Sequence, residues 1–249
     1  MAKKMQRIYQ IRVTLNGSKP PIWRKLAVPS DIVLSELHEV IQIAMGWTNS
    51  HMHQFILRGK KLRPRRRILP EVPGTVEKKV IDLPGGRKGH LISTKPRDDN
   101  AVPLPTGPAM PWFDTGDRYY VTKLTPLGDP TEMEGEDEDA VTLAEVCPKV
   151  KSKLIYEYDF GDGWEHTIEV QKIVEPKPGV EYPLCLGGRK ACPPEDCGGI
   201  WGYYNLLDVV ADPKREDHEE MAEWLGEFDP DAFDPEEVNA ILAEWRKGS

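Results

Sequence analysis

The chain has 249 residues, of which 39% are hydrophobic and 30% charged, and its formal net charge is −8. This length accommodates one large domain or two small ones, and the acidic balance argues against a protein that coats a phosphate backbone along its whole surface. We find no apolar run near the roughly eighteen residues of a membrane span and no signal-peptide pattern at the start. A cytoplasmic protein without a membrane partner is therefore expected.

The first sixty residues predict the opening of an α+β sheet, mixed or antiparallel. Alternating and helical hydrophobic periods predict strands at residues 8–15, 22–28 and 52–57 and a helix at 34–45. A turn at Asn16-Gly17-Ser18 separates the first two strands, and Ser30 or Asp31 is placed to cap the helix, which ends at Gly46. The order hairpin, helix, strand is typical of a β-grasp-like fold.

Regular patterns are lost between about residues 60 and 140, which we interpret as a loop-rich insertion. Two charged blocks flank it, a basic one at 58–67 and an acidic one at 129–139. Such blocks are typically solvated and mobile. The alternative is that Arg65, Arg66 and Arg67 contact nucleic acid.

Periodic patterns return near residue 142 and continue to the end of the chain. They predict a short helix at 142–146, strands at 154–160 and 164–174, and helices at 203–211, 216–225 and 235–246. The whole chain is therefore expected to be a single α+β domain that carries the insertion and ends in a helical segment over about 200–249.

The stretch from Tyr156 to His166 predicts a tight hairpin rich in reactive side chains. A three-residue loop at 161–163 would put the apolar side chains of both strands on one face. Asp159 and Glu165 would then lie opposite each other, which is destabilising unless solvent, a cation, a metal ion or a raised pKa relieves it. Solvent exposure is the simplest interpretation, and an acid–base pair or a hard-metal site is the alternative.

His166 falls on the aromatic face of this hairpin. A core histidine bonded to a tyrosine hydroxyl or a backbone carbonyl is the simpler interpretation, and a catalytic or ligand role is the alternative. His51 and His53 lie two residues apart on a strand and share a face. Since no third ligand is in view, we interpret both as structural.

Three of the four cysteines, Cys185, Cys192 and Cys197, lie in one Gly/Pro-rich loop. A cytosolic chain disfavours disulfides, which leaves free thiols or a metal site. Three thiolates would hold a structural zinc ion. Its fourth ligand would come from Cys147, His166, Asp196 or His218. The spacing differs from the Cys-x2-Cys knuckle, and phosphate-binding and hydrolase motifs are absent.

Several sequence blocks together resemble the plasmid pRiA4b ORF-3-like family, whose members are also labelled insertion-element passenger, TnpR-like proteins. The blocks lie at residues 9–15, 19–24, 37–47, 51–55, 156–166 and 185–203 and follow the family order. The resemblance implies an α+β fold and no particular activity.

The TnpR-like label implies a serine resolvase, and the residues of this chain allow a test of that activity. A serine recombinase needs an activated serine amid arginines near its N-terminus, whereas the early serines here lie at predicted turns or helix caps. We therefore reject recombinase catalysis. The sequence favours a non-catalytic binding or accessory protein with a protein or nucleic-acid partner. The alternative is a metal-dependent hydrolase or nuclease that uses Asp159, Glu165 and His166.

Overall fold

The structure is a computed structural model. It describes residues 6–59, 77–83, 87–93, 117–121 and 135–248. The chain divides into two compact units, one formed by Met1–Lys60 with Gly116–Ser249 and the other by Lys61–Thr115. The second unit falls inside the predicted insertion, so the single-domain description stays a prediction. Arg65, Arg66 and Arg67 lie outside the described residues.

The first unit is built on one eight-stranded, mostly antiparallel sheet. Its strands are β1 (Ile8–Leu15), β2 (Trp23–Pro29), β3 (His53–Leu57), β6 (Arg118–Val121), β7 (Glu136–Asp137), β8 (Lys153–Tyr158), β9 (Trp164–Val174) and β10 (Leu184–Arg189). They are arranged in the order β10-β2-β1-β9-β8-β3-β6-β7, with β6 and β7 parallel. In the second unit, β4 (Glu77–Leu83) and β5 (Arg87–Ser93) form an antiparallel pair.

The helices of the first unit complete an α+β fold, as predicted. They are α1 (Leu34–Met45), a 3-10 turn (Glu138–Ala140), α2 (Leu143–Val146), α3 (Gly199–Ala211), α4 (His218–Leu225) and α5 (Pro235–Gly248). The expected helical C-terminal part is confirmed, and the β-grasp-like description stays a prediction. None of the described helices combines the length and the apolar character that a membrane crossing requires.

Helix α1 has the bounds that its apolar period predicts. Its C-cap is Gly46, with a φ of 89° and an N–H that donates to the carbonyl of Gln42. The predicted N-cap is wrong, because Val33 occupies that position without a side-chain bond and Ser30 and Asp31 lie further upstream. The helix is therefore held by its buried stripe more than by a cap.

The core lies between α1 and one face of the sheet. Alternate residues of β8 and β9 are buried there, including Tyr156, Tyr158 and Trp164, and they join one cluster with Leu37 and Ile41 of α1. Because β3 and β8 are antiparallel, the start of β3 and the end of β8 meet at the same end of the sheet. The loops at that end bring together the side chains described next.

Candidate metal centre

The hairpin between β8 and β9 has a longer turn than its sequence predicts. Tyr158 pairs with Trp164 and Glu157 with Glu165, so residues 159–163 form the turn and the predicted opposition of Asp159 and Glu165 is wrong. The reason is local. Asp159 adopts a φ of 55°, and its Oδ1 accepts hydrogen bonds from the backbone N–H groups of Gly161 at 2.9 Å and Asp162 at 3.3 Å.

Glu165 lies apart from Asp159, on the half-exposed strand face. Its carboxylate accepts hydrogen bonds from Asn16 at 2.6 Å and from Arg58 at 3.1 Å. Glu157, the acid that it does oppose, accepts one from Gln54 at 2.6 Å. The like charges that face each other here are thus relieved by a neighbouring cation and by amide donors.

Asp159 instead meets two side chains from other segments. The Nε2 atom of His51 lies 3.8 Å from Oδ2 of Asp159 and 3.3 Å from Oδ1 of Asp196. One ligand-type atom from each of the three residues lies within 4.8 Å of the others. Within the described ranges, no other three or more His, Cys, Asp and Glu side chains converge in this way. We call these three residues the His51 cluster.

The three members of the cluster differ in burial, and its two aspartates share an unusual backbone conformation. Asp159 is 7% exposed, whereas the side chain of Asp196 is 72% exposed. Asp196 has a φ of 59°, so both aspartates are left-handed. Non-glycine residues rarely adopt this conformation, which is often retained at functional sites. The Nε2 atom of His51 is closed to solvent and makes no hydrogen bond of acceptable geometry.

A hydrogen-bonded bridge joins the segments behind the cluster. The hydroxyl of Tyr158 accepts from the backbone N–H groups of Ser50 at 3.0 Å and His51 at 3.3 Å and donates to Oε1 of Glu195 at 2.5 Å. Burial, followed by the bond to Glu195, raises the pKa of Tyr158 to about 12. At Glu195, burial acts to raise the pKa of the carboxyl, but hydrogen bonds from Thr48 and Tyr158 outweigh it and lower that pKa.

The loop that carries Asp196 is docked onto the hairpin turn. The N–H of Gly198 donates to Oδ2 of Asp162 at 3.2 Å, and the indole N–H of Trp47 donates to the carbonyl of Pro193 at 3.0 Å. A Cβ at Gly199 would lie 2.2 Å from the carbonyl oxygen of Asp162. Only glycine permits this approach, which fixes the loop against the turn that holds Asp159.

His166 is not part of the cluster. It is fully buried, and its ring lies 5.3 Å from that of Trp47 and 5.5 Å from that of Tyr156. Burial lowers its pKa to about 4, and nearby backbone groups offset only part of this effect. Neither ring nitrogen makes a well-aligned hydrogen bond, although backbone groups of Tyr156 and Trp164 favour its protonated form, so His166 is a neutral core histidine without the predicted tyrosine hydroxyl partner.

The cysteines do not assemble into a cluster. All four are free thiols. In the described part of the chain, neither Cys185 nor Cys192 nor Cys197 belongs to a group of three ligand atoms that lie within 4.8 Å of one another. Burial raises the pKa of Cys147 and of Cys197 to about 12, and it also raises that of Cys192. These thiols are therefore protonated at neutral pH in the metal-free chain.

Of the cluster, the sequence patterns single out only Asp159, as a candidate acid. They favour a structural role for His51 and offer Asp196 only as a fourth zinc ligand. His53, its near neighbour, does have a structural environment, since its ring stacks 3.4 Å from that of His38 and its Nε2 is hydrogen-bonded to Glu138 at 2.9 Å. The unusual feature of the sequence near Asp196 is the Glu-Asp pair inside the Gly/Pro-rich loop.

The comparisons with known proteins agree with the resemblance noted in the sequence. Residues 7–237 match the plasmid pRiA4b ORF-3-like protein family. An uncharacterized protein of Sinorhizobium fredii, y4hQ, is 32% identical over 96% of this chain and 95% of its own length. A crystal structure of a protein of unknown function from Methanosarcina mazei Go1, MM3350, is 27% identical, with a TM-score of 0.63 over 94% of this chain and 99% of its own. The chain therefore belongs to the plasmid pRiA4b ORF-3-like family.

Proposed function

We propose that this protein binds one divalent metal ion through His51, Asp159 and Asp196. The observation that carries the proposal is the convergence of three ligand-type atoms, from three separate chain segments, to within 4.8 Å. Among the described residues, the only basic group within 4.0 Å of either carboxylate is the imidazole of His51. Two carboxylates brought together in this way are stabilised by a cation.

The donor set indicates the class of ion. One imidazole nitrogen and two carboxylate oxygens suit Mn²⁺, Fe²⁺ or Zn²⁺ better than Ca²⁺, which prefers six to eight oxygen ligands. Since Oδ1 of Asp159 is bonded to backbone amides, Oδ2 is the atom left to bind the ion. The exposed side of the site, at Asp196, leaves coordination positions for water or a partner.

A binding or accessory role fits this site and the acidic chain. A partner that supplies a carbonyl or carboxylate oxygen would complete the coordination of the ion, and a protein is the simplest source of both. The insertion-element label of the family supports an accessory role at a mobile element. Nucleic-acid contact through Arg65, Arg66 and Arg67 belongs to the same proposal. It is tested by measuring nucleic-acid binding at physiological salt before and after these three arginines are neutralised, and loss of binding would support the contact.

A second candidate is metal-dependent hydrolysis. It is favoured by the exposure of Asp196, because an ion with protein ligands on one side and water on the other lowers the pKa of that water. Asp159 would act here as a metal ligand, with Glu165 and His166 outside the site. Hydrolysis of p-nitrophenyl phosphate or acetate that needs added Mn²⁺ and disappears in Asp159→Asn would support this candidate, and turnover that Asp159→Asn retains would exclude it.

Calorimetric titration of tag-free protein with Mn²⁺ and Zn²⁺ tests the proposed site. We expect one ion per chain and a Kd that rises at least about tenfold in Asp159→Asn, because that variant removes a charged ligand. Glu165→Gln is the matched control, since it neutralises a carboxylate of the same hairpin outside the cluster. Absence of saturable binding, or equal affinities for the wild type and Asp159→Asn, would refute the proposal.

A further inference from the structure

The hydrogen bond between Tyr158 and Glu195 forms a bridge behind the three proposed ligands. We infer that these two side chains are positioning residues for the metal site, and this inference rests on the proposed function. Each cluster member adjoins the bridge along the chain. His51 contributes its own N–H to the Tyr158 hydroxyl, Asp159 follows Tyr158, and Asp196 follows Glu195.

The hydroxyl of Tyr158 is fully used by this arrangement. It accepts two successive backbone N–H groups, from Ser50 and His51, and its single proton goes to Glu195. The ring is fully buried and stacks on that of Trp47 with centroids 5.0 Å apart. The anchor point of the bridge is therefore the sheet core, which is rigid compared with the loops that it holds.

Glu195 is committed in the same way at both oxygens. Its Oε1 accepts from Tyr158, and its Oε2 accepts from the hydroxyl of Thr48 at 2.6 Å and from the backbone N–H of the same residue at 3.1 Å. Glu195 therefore acts through its neighbours: it ties the segment before His51 to the loop that carries Asp196.

Metal affinity depends on such outer partners because they fix the orientation of ligands before the ion arrives. Losing one typically weakens binding about 10- to 100-fold. The His51 cluster is sensitive to this effect, because all three ligands lie on loops and only Asp159 directly follows a strand. Without the bridge, the segments of His51 and Asp196 would lose one of their attachments to the hairpin, beside the Met52 carbonyl that accepts from the N–H of Asp159 and the N–H of Gly198 that donates to Asp162.

The chain offers a matched control on the same strand. Tyr156 lies two residues before Tyr158, on the same face of β8, and is also fully buried. Its hydroxyl is hydrogen-bonded to His38 at 2.7 Å and accepts from Gln42 at 2.8 Å, so it makes none of the contacts of the bridge. A purely structural role for Tyr158 predicts that Tyr158→Phe and Tyr156→Phe behave alike.

The test compares Mn²⁺ affinity with stability in the wild type and both variants. We expect Tyr158→Phe to raise the Kd about 10- to 100-fold and Tyr156→Phe to keep the wild-type Kd, although both lower the urea midpoint measured in EDTA. Equal Kd values for the wild type and Tyr158→Phe, or equal losses of affinity in the two variants, would overturn the inference.

Amide hydrogen exchange tests the bridge without metal. In EDTA, the N–H groups of Ser50 and His51 should exchange faster in Tyr158→Phe than in the wild type and should stay protected in Tyr156→Phe. Unchanged protection in Tyr158→Phe would overturn the inference even if metal binds. If the wild type binds no metal, the proposed function fails, and loss of protection would reduce the bridge to a structural contact.

Discussion

The close approach of Gly199 to the hairpin turn makes one substitution informative. Gly199 has a φ of 66°, and a Cβ there would lie 2.2 Å from the carbonyl oxygen of Asp162 and 3.2 Å from its carbonyl carbon. Gly199→Ala therefore has two separate costs. The left-handed backbone costs alanine about 1–2 kcal/mol, and forcing the loop away from the turn costs about 1–3 kcal/mol more.

Gly179→Ala measures the first cost alone. Gly179 has a φ of 73°, and a Cβ there would meet no atom within 4 Å, so its substitution has only the backbone cost. We expect urea unfolding, extrapolated to water, to show a loss of about 2–5 kcal/mol for Gly199→Ala and about 1–2 kcal/mol for Gly179→Ala. Most small domains have 5–15 kcal/mol of stability, so both variants should still fold. Equal losses in the two variants would refute the packing of the loop against the turn.

Two further predictions concern buried polar groups. Burial lowers the pKa of His166 to about 4, so as the pH falls His166 is protonated in the unfolded chain before it is protonated in the folded protein, and stability that is complete above about pH 6.5 is lost toward pH 4. In urea titrations, His166→Leu should reduce the loss of unfolding free energy between pH 7 and 5 by about 2 kcal/mol. An unchanged loss in the variant would contradict this. Arg24→Lys should lower the free energy of unfolding by about 2–4 kcal/mol, because the guanidinium of Arg24 is buried, lies 4.0 Å from the centroid of the Phe233 ring and donates to the carbonyl of Ala44 at 2.7 Å. Arg12→Lys should lower it by less than about 1 kcal/mol, because Arg12 lies 4.3 Å over the Trp23 ring and is itself only half-buried. Similar losses in the two variants would contradict this.

Sequence patterns predicted the elements whose period and ends agree. The apolar stripe of α1 and the glycine after it gave both bounds of that helix. In α5, Asp234 accepts from the N–H of Glu236 at 2.7 Å, as an N-cap residue does. The sequence does not predict strand β10, because Gly187 and Gly188 have weak strand preference and the strand pairs with β2 only through a bulge after Cys185.

The hairpin shows why a correct face is not a correct register. The predicted and observed registers differ by two residues, so both bury Tyr156, Tyr158 and Trp164 on one side. A period of two excludes shifts by one residue and is blind to shifts by two. The turn chemistry of Asp159 decided between them.

Hydrophobic periodicity could not predict the His51 cluster, for a different reason. Its members lie on three loops, and their convergence depends on how the loop before α3 docks onto the hairpin turn. That docking rests on single contacts, such as those of Gly198 and Trp47. Single contacts of this kind leave no repeating signal in a sequence.

The sheet topology also constrains when the cluster can form during synthesis. Strand β1 lies inside the sheet, where it pairs with β9, far along the chain, as well as with β2. Likewise, His51 lies in the first quarter of the chain and Asp196 in the last. A nascent chain on the ribosome therefore holds His51 in a partly formed sheet until most of the polypeptide has emerged. The ion would join a chain that is already folded and would play no part in starting its folding.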